Sequence, residues 1–303
     1  MPVDTAALAP DAGRKRASRS RPLPLTSGQI AWLAAVLALF GLVYYPTIAW
    51  LFDRWTMSVW HNAHGMLIPV VVGYFAYHEL ARKRRVQAGS SAWGFAFLVP
   101  ALALHVLDTG MHTQLLSAAS IVIALPGLSL LFLGRERTLA IAFPLAFMAM
   151  MLPIPLALTE SLHLVLRQIA TVASSAIIPL LGITAYTEGT TVHLAGATLQ
   201  VGDGCSGFST LYAAVAVAAL TAYGTPGWRR RILVLAAAAP IAIAANVLRV
   251  TMLIAIVDWT HVDVLSTWIH PASGMMTFAL ALPVIFWLGT PKPGRTTTEE
   301  AHA

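Results

Sequence analysis

Residues 232–256 read ILVLAAAAPIAIAANVLRVTMLIAI, a run of 25 positions in which Arg249 is the only charged side chain. About 20 apolar residues are enough for a helix to cross the hydrocarbon core of a bilayer. Such runs recur along the 303-residue chain, which is 57% hydrophobic and 11% charged, with a mean hydropathy of +0.72. Because a soluble domain carries about 25% charged residues, the sequence predicts an all-α polytopic membrane protein embedded in the lipid bilayer.

We expect about eight transmembrane helices joined by short polar loops. Residues 28–290 would form one transmembrane domain, between a disordered basic tail at 1–27 and a second polar tail at 291–303. The first apolar run is too long for the hydrophobic part of a signal peptide, so we expect it to remain as the first span. The predicted spans are roughly 29–50, 64–80, 92–107, 114–133, 138–156, 206–223, 232–256 and 270–289.

The basic residues indicate in which direction these helices cross. The formal net charge is +6, but the Lys and Arg side chains form short clusters in tails and loops, so we predict no nucleic-acid partner. With both termini in the cytoplasm, 16 of the 19 Lys and Arg residues fall on the cytoplasmic side, and only Arg54, Arg167 and Arg249 do not. This excess follows the positive-inside rule. We therefore expect a multi-pass protein of the inner membrane with both termini cytoplasmic.

Residues 157–204 depart from the alternation of spans and loops. The segment 162–181 is apolar enough to touch the membrane, but a crossing here would move Arg229–Arg231 to the outer side. We interpret it as an interfacial or re-entrant helix on the non-cytoplasmic face. Residues 187–201 alternate and are rich in Thr, Val and Gly, which predicts a small β-hairpin on the same face.

Cys205 is the single cysteine and lies in VGDGCSGFS, residues 201–209, at the predicted start of a helix on the outer face. Unpaired N–H groups and the positive end of the helix dipole stabilise a thiolate at such a position. A lone cysteine is by itself more often a small buried hydrophobic residue, but the polar, glycine-rich setting favours a nucleophile. One cysteine allows no internal disulfide, and no Cys/His spacing indicates a zinc site.

Two further polar side chains are predicted at the same face as Cys205. Arg249, with Asn246 three residues earlier on the same side of the helix, lies about 10 Å from the outer end of its span. His270 opens the last span. Taken singly, Arg249 is equally compatible with extension towards the lipid headgroups, and His270 with an interfacial position beside Trp268. As a set with Cys205, they supply a nucleophile, a proton donor for the leaving amine and a cation for the oxyanion.

Three motifs, in this order, resemble the exosortase/archaeosortase family of membrane cysteine transpeptidases, which process C-terminal sorting signals. They are Cys205-Ser206-Gly207, the Asn-x-x-Arg segment from Asn246 to Arg249, and His270 in the next span. The pair His64-Gly65 and the stretch 143–155 are also similar to the family, and the resemblance covers roughly residues 40–290. Each motif alone is weak, whereas the trio together is specific.

The resemblance implies that Cys205 cleaves the sorting signal and forms a thioester, which an amine, a glycan-linked acceptor or water then resolves. The substrate would be a secreted protein that ends in a short motif, a transmembrane helix and a basic tail. No cofactor or metal is expected. Catalytic roles are implied for Cys205, Arg249 and His270, and supporting roles for Asn246, Ser206, Gly207 and His64.

Other interpretations of the sequence remain open. A transporter would use Arg249 and Asn246 to line a path for an anion, but no duplicated halves are visible and the glycine-flanked cysteine would have no role. A non-catalytic envelope-assembly protein is a third possibility. Among the weaker site candidates, Asp203 would be a helix cap, and Glu188 and His193 would contact substrate from the hairpin.

Overall fold

The computed structural model describes residues 27–56, 63–82, 89–264 and 266–290. The chain divides into two compact units, residues 1–43 and 44–303, and the described part of the first is the N-terminal portion of α1 (Ser27–Thr56). The predicted tails lie outside the described residues, Ser27 excepted. The other helices are α2 (Ile68–Arg82), α3 (Gly94–Met111), α4 (Leu115–Ala140), α5 (Ala142–Phe147), α6 (Leu156–Ile177), α7 (Phe208–Gly224), α8 (Trp228–Thr260) and α9 (Ile269–Gly289).

The helices α7, α8 and α9 pack against one another with alternating direction, and their contacts define two ends of the second unit. At one end, Nδ2 of Asn246 donates a hydrogen bond to the carbonyl of Cys205. At the other, Nε of Arg230 donates to the carbonyl of Leu288 at 2.7 Å. Small side chains between the helices allow close approach of the backbones. Those buried at these interfaces include Ala214, Ala218, Ala238 and Ala242.

Within the described part of the chain, seven helices are long and apolar enough to cross a membrane, so the protein is a multi-pass membrane protein. Six of them, α1, α3, α4, α7, α8 and α9, correspond to predicted spans. The predicted span 64–80 corresponds to α2, which has 15 residues and is about 22 Å long, shorter than a hydrocarbon core of about 30 Å. The predicted span 138–156 is broken into α5 and the 3-10 helix Met148–Met151. The seventh is α6, which meets the criterion as Ala157–Leu181.

The broken segment nevertheless runs along α7 from one end to the other. The ring of Phe143 stacks on that of Tyr223 in the last turn of α7, with centroids 4.0 Å apart. Nine residues later, the carbonyl of Leu152 accepts a hydrogen bond from the hydroxyl of Tyr212, in the second turn of α7, at 3.2 Å. The predicted crossing at 138–156 therefore joins the two ends although its helix is interrupted.

The sequence predicts an interfacial or re-entrant helix at 162–181, whereas α6 meets the length and composition criterion for a span. Ser174 of α6 lies beside Val247 of α8, with its Oγ 3.3 Å from that carbonyl. The C-terminal part of α6 therefore lies near the end of the molecule that holds Asn246 and Cys205, and the interfacial or re-entrant position stays a prediction.

The predicted β-hairpin is a three-stranded antiparallel sheet with the order β1 (Ala185–Glu188), β2 (Thr191–Leu194) and β3 (Thr198–Gln200). The prediction missed the third strand and the start of β1, because Ala185 and Tyr186 precede the Thr-rich stretch. Val192 and Leu199 are buried and share a hydrophobic cluster with Cys205. This packing holds the sheet against the end of the molecule at which Cys205 lies.

Candidate active site

Cys205 and His270 lie in direct contact. The Sγ atom of Cys205 is 3.1 Å from Nε2 of His270, although 65 residues separate them in the chain. Cys205 ends the 3-10 turn Asp203–Cys205, three residues before α7 begins, and His270 is the second residue of α9. Two helix starts therefore meet, and the thiol and the imidazole are placed for proton transfer between them.

Arg249 connects the two chain segments that carry this pair. Its Nη1 donates to the carbonyl of Gly204 at 3.1 Å and its Nη2 to the carbonyl of His270 at 3.1 Å. Its Nε donates to Oγ of Ser273 at 2.9 Å. The side chain is only 5% exposed, and α8 continues for eleven residues beyond it to Thr260. Arg249 therefore does not extend to the lipid headgroups, and it lies about 16 Å from the helix end rather than the predicted 10 Å.

Asn246 fixes the backbone of the nucleophile. Its Nδ2 donates to the carbonyl of Cys205 at 3.0 Å, while its Oδ1 is buried without a partner among the described residues. Gly207 packs directly on this side chain, since a Cβ built at Gly207 would lie 2.7 Å from Cβ of Asn246. Gly207 also has a φ of 80°, which disfavours any side chain. Both conditions explain why glycine stands at this position.

Ser206 organises the turn that carries Cys205. None of the described hydrogen bonds of its hydroxyl involves the thiol. Its Oγ donates to the carbonyl of Asp203 at 2.7 Å and accepts from the N–H of Phe208 at 3.3 Å. A third contact comes from Nδ1 of His163 on α6, at 3.0 Å. Ser206 thus joins the cysteine turn to the first residue of α7 and to α6.

Two residues of α6 were missed as site components by the sequence reasoning. Besides His163, the guanidinium of Arg167 forms an ion pair with Asp203, with Nη1 and Oδ1 3.2 Å apart. Asp203 is therefore a partner of α6, and its predicted role as a cap is wrong, because Gly202 and Gly207 occupy the cap positions of the 3-10 turn and of α7. His163 and Arg167 are four residues apart, which places them on one face of a helix. That spacing was the available signal, but the apolar composition of 162–181 favours a membrane contact over a site role.

His64 lies apart from these contacts. It sits in the 3-10 helix Ala63–Met66, and its ring meets that of Tyr212 edge to face at a centroid distance of 4.7 Å. Burial lowers the pKa of His64 to about 4, so its imidazole is neutral at physiological pH. Glu188 and His193 form a contact of 3.8 Å with each other on the sheet. No described hydrogen bond links any of these three to the thiol.

The arrangement can perform acyl transfer. A nucleophile and a base are in contact, and a cation is held beside them by backbone carbonyls. The N–H of Cys205 is already engaged with the carbonyl of Gly202 at 2.9 Å, so it does not point freely at a substrate. Of the five guanidinium N–H groups of Arg249, three are used in the contacts above, which leaves donors for an oxyanion.

The family of the chain follows from comparison with known proteins. The model of the transmembrane exosortase family (Exosortase_EpsH) matches residues 55–287, which include every residue of the site described above. No curated protein and no solved structure shows significant similarity to the chain. Membership of the family implies a membrane transpeptidase that acts on sorting signals. The resemblance predicted from the three motifs is thereby confirmed, and the chain belongs to the transmembrane exosortase family.

Proposed function

We propose that this exosortase cleaves C-terminal sorting signals of secreted proteins by way of a thioester on Cys205. The observation that carries the proposal is the 3.1 Å contact between Sγ of Cys205 and Nε2 of His270. Arg249 supports it, because its hydrogen bonds hold both partners in place. A transporter has no use for a thiol and an imidazole in contact, whereas acyl transfer requires this pair.

The reaction begins with transfer of the thiol proton of Cys205 to Nε2 of His270. The thiolate attacks the scissile carbonyl, an S–C bond forms, and the negative charge moves to the carbonyl oxygen, where Arg249 donates a hydrogen bond. The C–N bond then breaks as the His270 imidazolium gives its proton to the leaving amine. The product of this half-reaction is a thioester on Cys205 and a released C-terminal segment.

The second half-reaction resolves the thioester with an incoming nucleophile, either an amine of an acceptor or water. His270 takes the proton of that nucleophile as it attacks, and the S–C bond breaks to release the thiolate. Asn246, Ser206 and Gly207 support both steps by fixing the backbone around Cys205, and His64 supports the packing of α7 through Tyr212. These steps need only side chains of this chain, its substrate and its acceptor.

We propose that the Cys205 end is the non-cytoplasmic end and that both termini are cytoplasmic. Arg135, Arg137 and Arg229–Arg231 lie at loops or helix ends of the opposite side, as the positive-inside rule requires of cytoplasmic residues. Residues 28–290 form the transmembrane domain, with cytoplasmic tails at 1–27 and 291–303. The substrates are then secreted proteins that carry a short motif, a transmembrane helix and a basic tail.

The proposal is tested with a secreted reporter that carries the C-terminal segment of a candidate substrate encoded in the same genome. We expect the wild-type protein to process the reporter, and Cys205→Ala and Cys205→Ser variants to accumulate in the membrane without processing it. We also expect His270→Asn to lose processing. The matched control is His261→Asn, which should process the reporter, because His261 is an exposed histidine at the end of α8. Processing by Cys205→Ala at the wild-type rate would refute the proposed nucleophile.

A further inference from the structure

The strand β3 forms one edge of the sheet and leads directly to the nucleophile. Among the strands that the structure describes, only β2 is paired with it, since the strand order is β1-β2-β3. Five residues after the end of β3 at Gln200, the chain reaches Cys205. Leu199 and Val201 are buried in the same hydrophobic cluster as Cys205. The edge and the thiol are therefore held by one packed core.

The register shows which backbone groups of β3 point away from the sheet. Leu194 N–H donates to the carbonyl of Ala197 at 2.8 Å, and Val201 N–H donates to the carbonyl of Thr190 at 2.9 Å. In an antiparallel pair, hydrogen-bonded and non-hydrogen-bonded residue pairs alternate. Of the β3 residues, Leu199 therefore bonds to β2, while Thr198 and Gln200 direct their N–H and C=O groups outwards.

These outward groups are largely unused. The carbonyl of Gln200 accepts a hydrogen bond from the N–H of Gly202 at 3.0 Å. Within the described part of the chain, no hydrogen bond is formed by the N–H or carbonyl of Thr198, or by the N–H of Gln200. Unpaired edge groups of this kind are a template on which another extended chain can pair. The other edge, β1, lies two strands further from the residues that lead to Cys205.

We propose that the extended segment of the polypeptide substrate that contains the scissile bond docks on the outer edge of β3 as a fourth strand. Its backbone pairs with the N–H and carbonyl of Thr198 and with the N–H of Gln200, and this brings the scissile carbonyl to Cys205. An extended conformation exposes that carbonyl, whereas a helix would keep it in an internal hydrogen bond. The inference rests on the proposed function, because it assigns the substrate of that reaction to a surface.

Proline substitution tests the backbone role of the edge. Proline removes the outward N–H and adds a ring on the pairing side, and it is tolerated in edge strands. With the processed reporter, we expect Thr198→Pro and Gln200→Pro to lower kcat/KM about tenfold, mainly through KM. The matched control is Thr187→Pro, which removes an outward N–H from the opposite edge, since β2 uses Thr191 and His193 to bond to β1. We expect that variant to stay within about twofold of wild type.

Alanine variants separate the backbone from the side chains. Thr198→Ala and Gln200→Ala retain the N–H groups, so each is expected to lose less activity than the proline variant at the same position. The inference is overturned if both proline variants process normally, or if the alanine variants lose as much activity as the proline variants. Inactive Cys205→Ala together with fully active Thr198→Pro and Gln200→Pro would refute this docking edge and leave the proposed function standing. Active Cys205→Ala would refute the proposed function itself.

A cross-linking measurement decides the case in which every proline variant, including Thr187→Pro, loses activity alike. In the double variant Cys205→Ala, Thr198→Cys, the introduced thiol is the only one, because the chain has a single native cysteine. Single cysteines placed along the scissile segment of the reporter are expected to form disulfides with it at every second position, the period of a strand. A uniform pattern, a helical period or no disulfide would overturn the inference.

Discussion

Nδ1 of His163 lies 3.0 Å from Oγ of Ser206, although 43 residues separate the two in the chain. Because the Ser206 hydroxyl donates its proton to the carbonyl of Asp203, its oxygen accepts from the N–H of His163. Both side chains are buried. The contact supports the Cys205 turn from the side of α6, and it gives this helix a part in the site that its hydropathy did not reveal.

Removal of this contact should slow the reaction without weakening substrate binding. His163→Ala is expected to lower kcat about fivefold, the equivalent of one net hydrogen bond, because His163 is buried and positions the turn. His163→Asn retains an amide donor and should recover most of the loss. Steady-state kinetics with the reporter checks this, and a change confined to KM, or equal defects in both variants, would contradict it.

Arg249→Lys should fail although it keeps the charge. A lysine ammonium cannot reach the carbonyls of Gly204 and His270 and Oγ of Ser273 from one planar group. We expect kcat/KM to fall about 100-fold, in the range seen for loss of an oxyanion donor. The matched control is Arg230→Lys, the same substitution at the other end of α8, where the guanidinium also binds backbone carbonyls. Equal activity of the two variants would contradict the assigned role.

The depressed pKa of His64 makes stability depend on pH in a defined direction. Because burial lowers this pKa from 6.5 to about 4, the unfolded chain binds a proton between these values and the folded chain does not. Stability therefore falls as the pH decreases through this window. Between pH 7 and 5, wild type should lose about 2 kcal/mol more than His64→Gln. Unfolding in detergent at both pH values measures this, and parallel losses in the two proteins would contradict it.

The orientation can be tested without the native thiol, which is only 5% exposed and labels poorly. In a Cys205→Ala background, Glu188→Cys places a thiol at an 85% exposed side chain of the sheet, and Trp228→Cys places one at a 68% exposed side chain at the opposite end. A membrane-impermeant maleimide should label Glu188→Cys in intact cells and Trp228→Cys only after lysis. The reverse pattern would invert the proposed topology.

Much of this architecture could be predicted from the sequence. Long apolar runs indicated most of the membrane helices. The arginine clusters assigned each loop to one side of the membrane, and this assignment predicted that Cys205, Arg249 and His270 lie at the same end. The Thr- and Val-rich alternation predicted the sheet. These features depend on local composition, so they can be predicted from a single sequence.

The remainder depended on contacts that composition does not encode. Asp203 has no local feature that points to Arg167, and the hydrogen bonds of Arg249 go to backbone carbonyls, which carry no sequence signal. The motif His64-Gly65 implied a supporting role for His64 in the site, whereas in the structure its ring packs against that of Tyr212. The role of α6 in the site was missed because of the way its faces are oriented. Its apolar face, which includes the exposed Leu162 and Val165, points outwards, and its polar face points towards the protein. This is the reverse of a soluble amphipathic helix.

The most direct test of the account is the intact mass of the protein after it is mixed with the reporter and quenched in acid. Because Cys205 is the only cysteine, an acyl group bound as a thioester has a single possible site. We expect an adduct with the mass of the cleaved reporter on the wild type, removable by hydroxylamine and absent from Cys205→Ala. Reporter cleavage by Cys205→Ala, or a wild-type adduct that resists hydroxylamine, would contradict it.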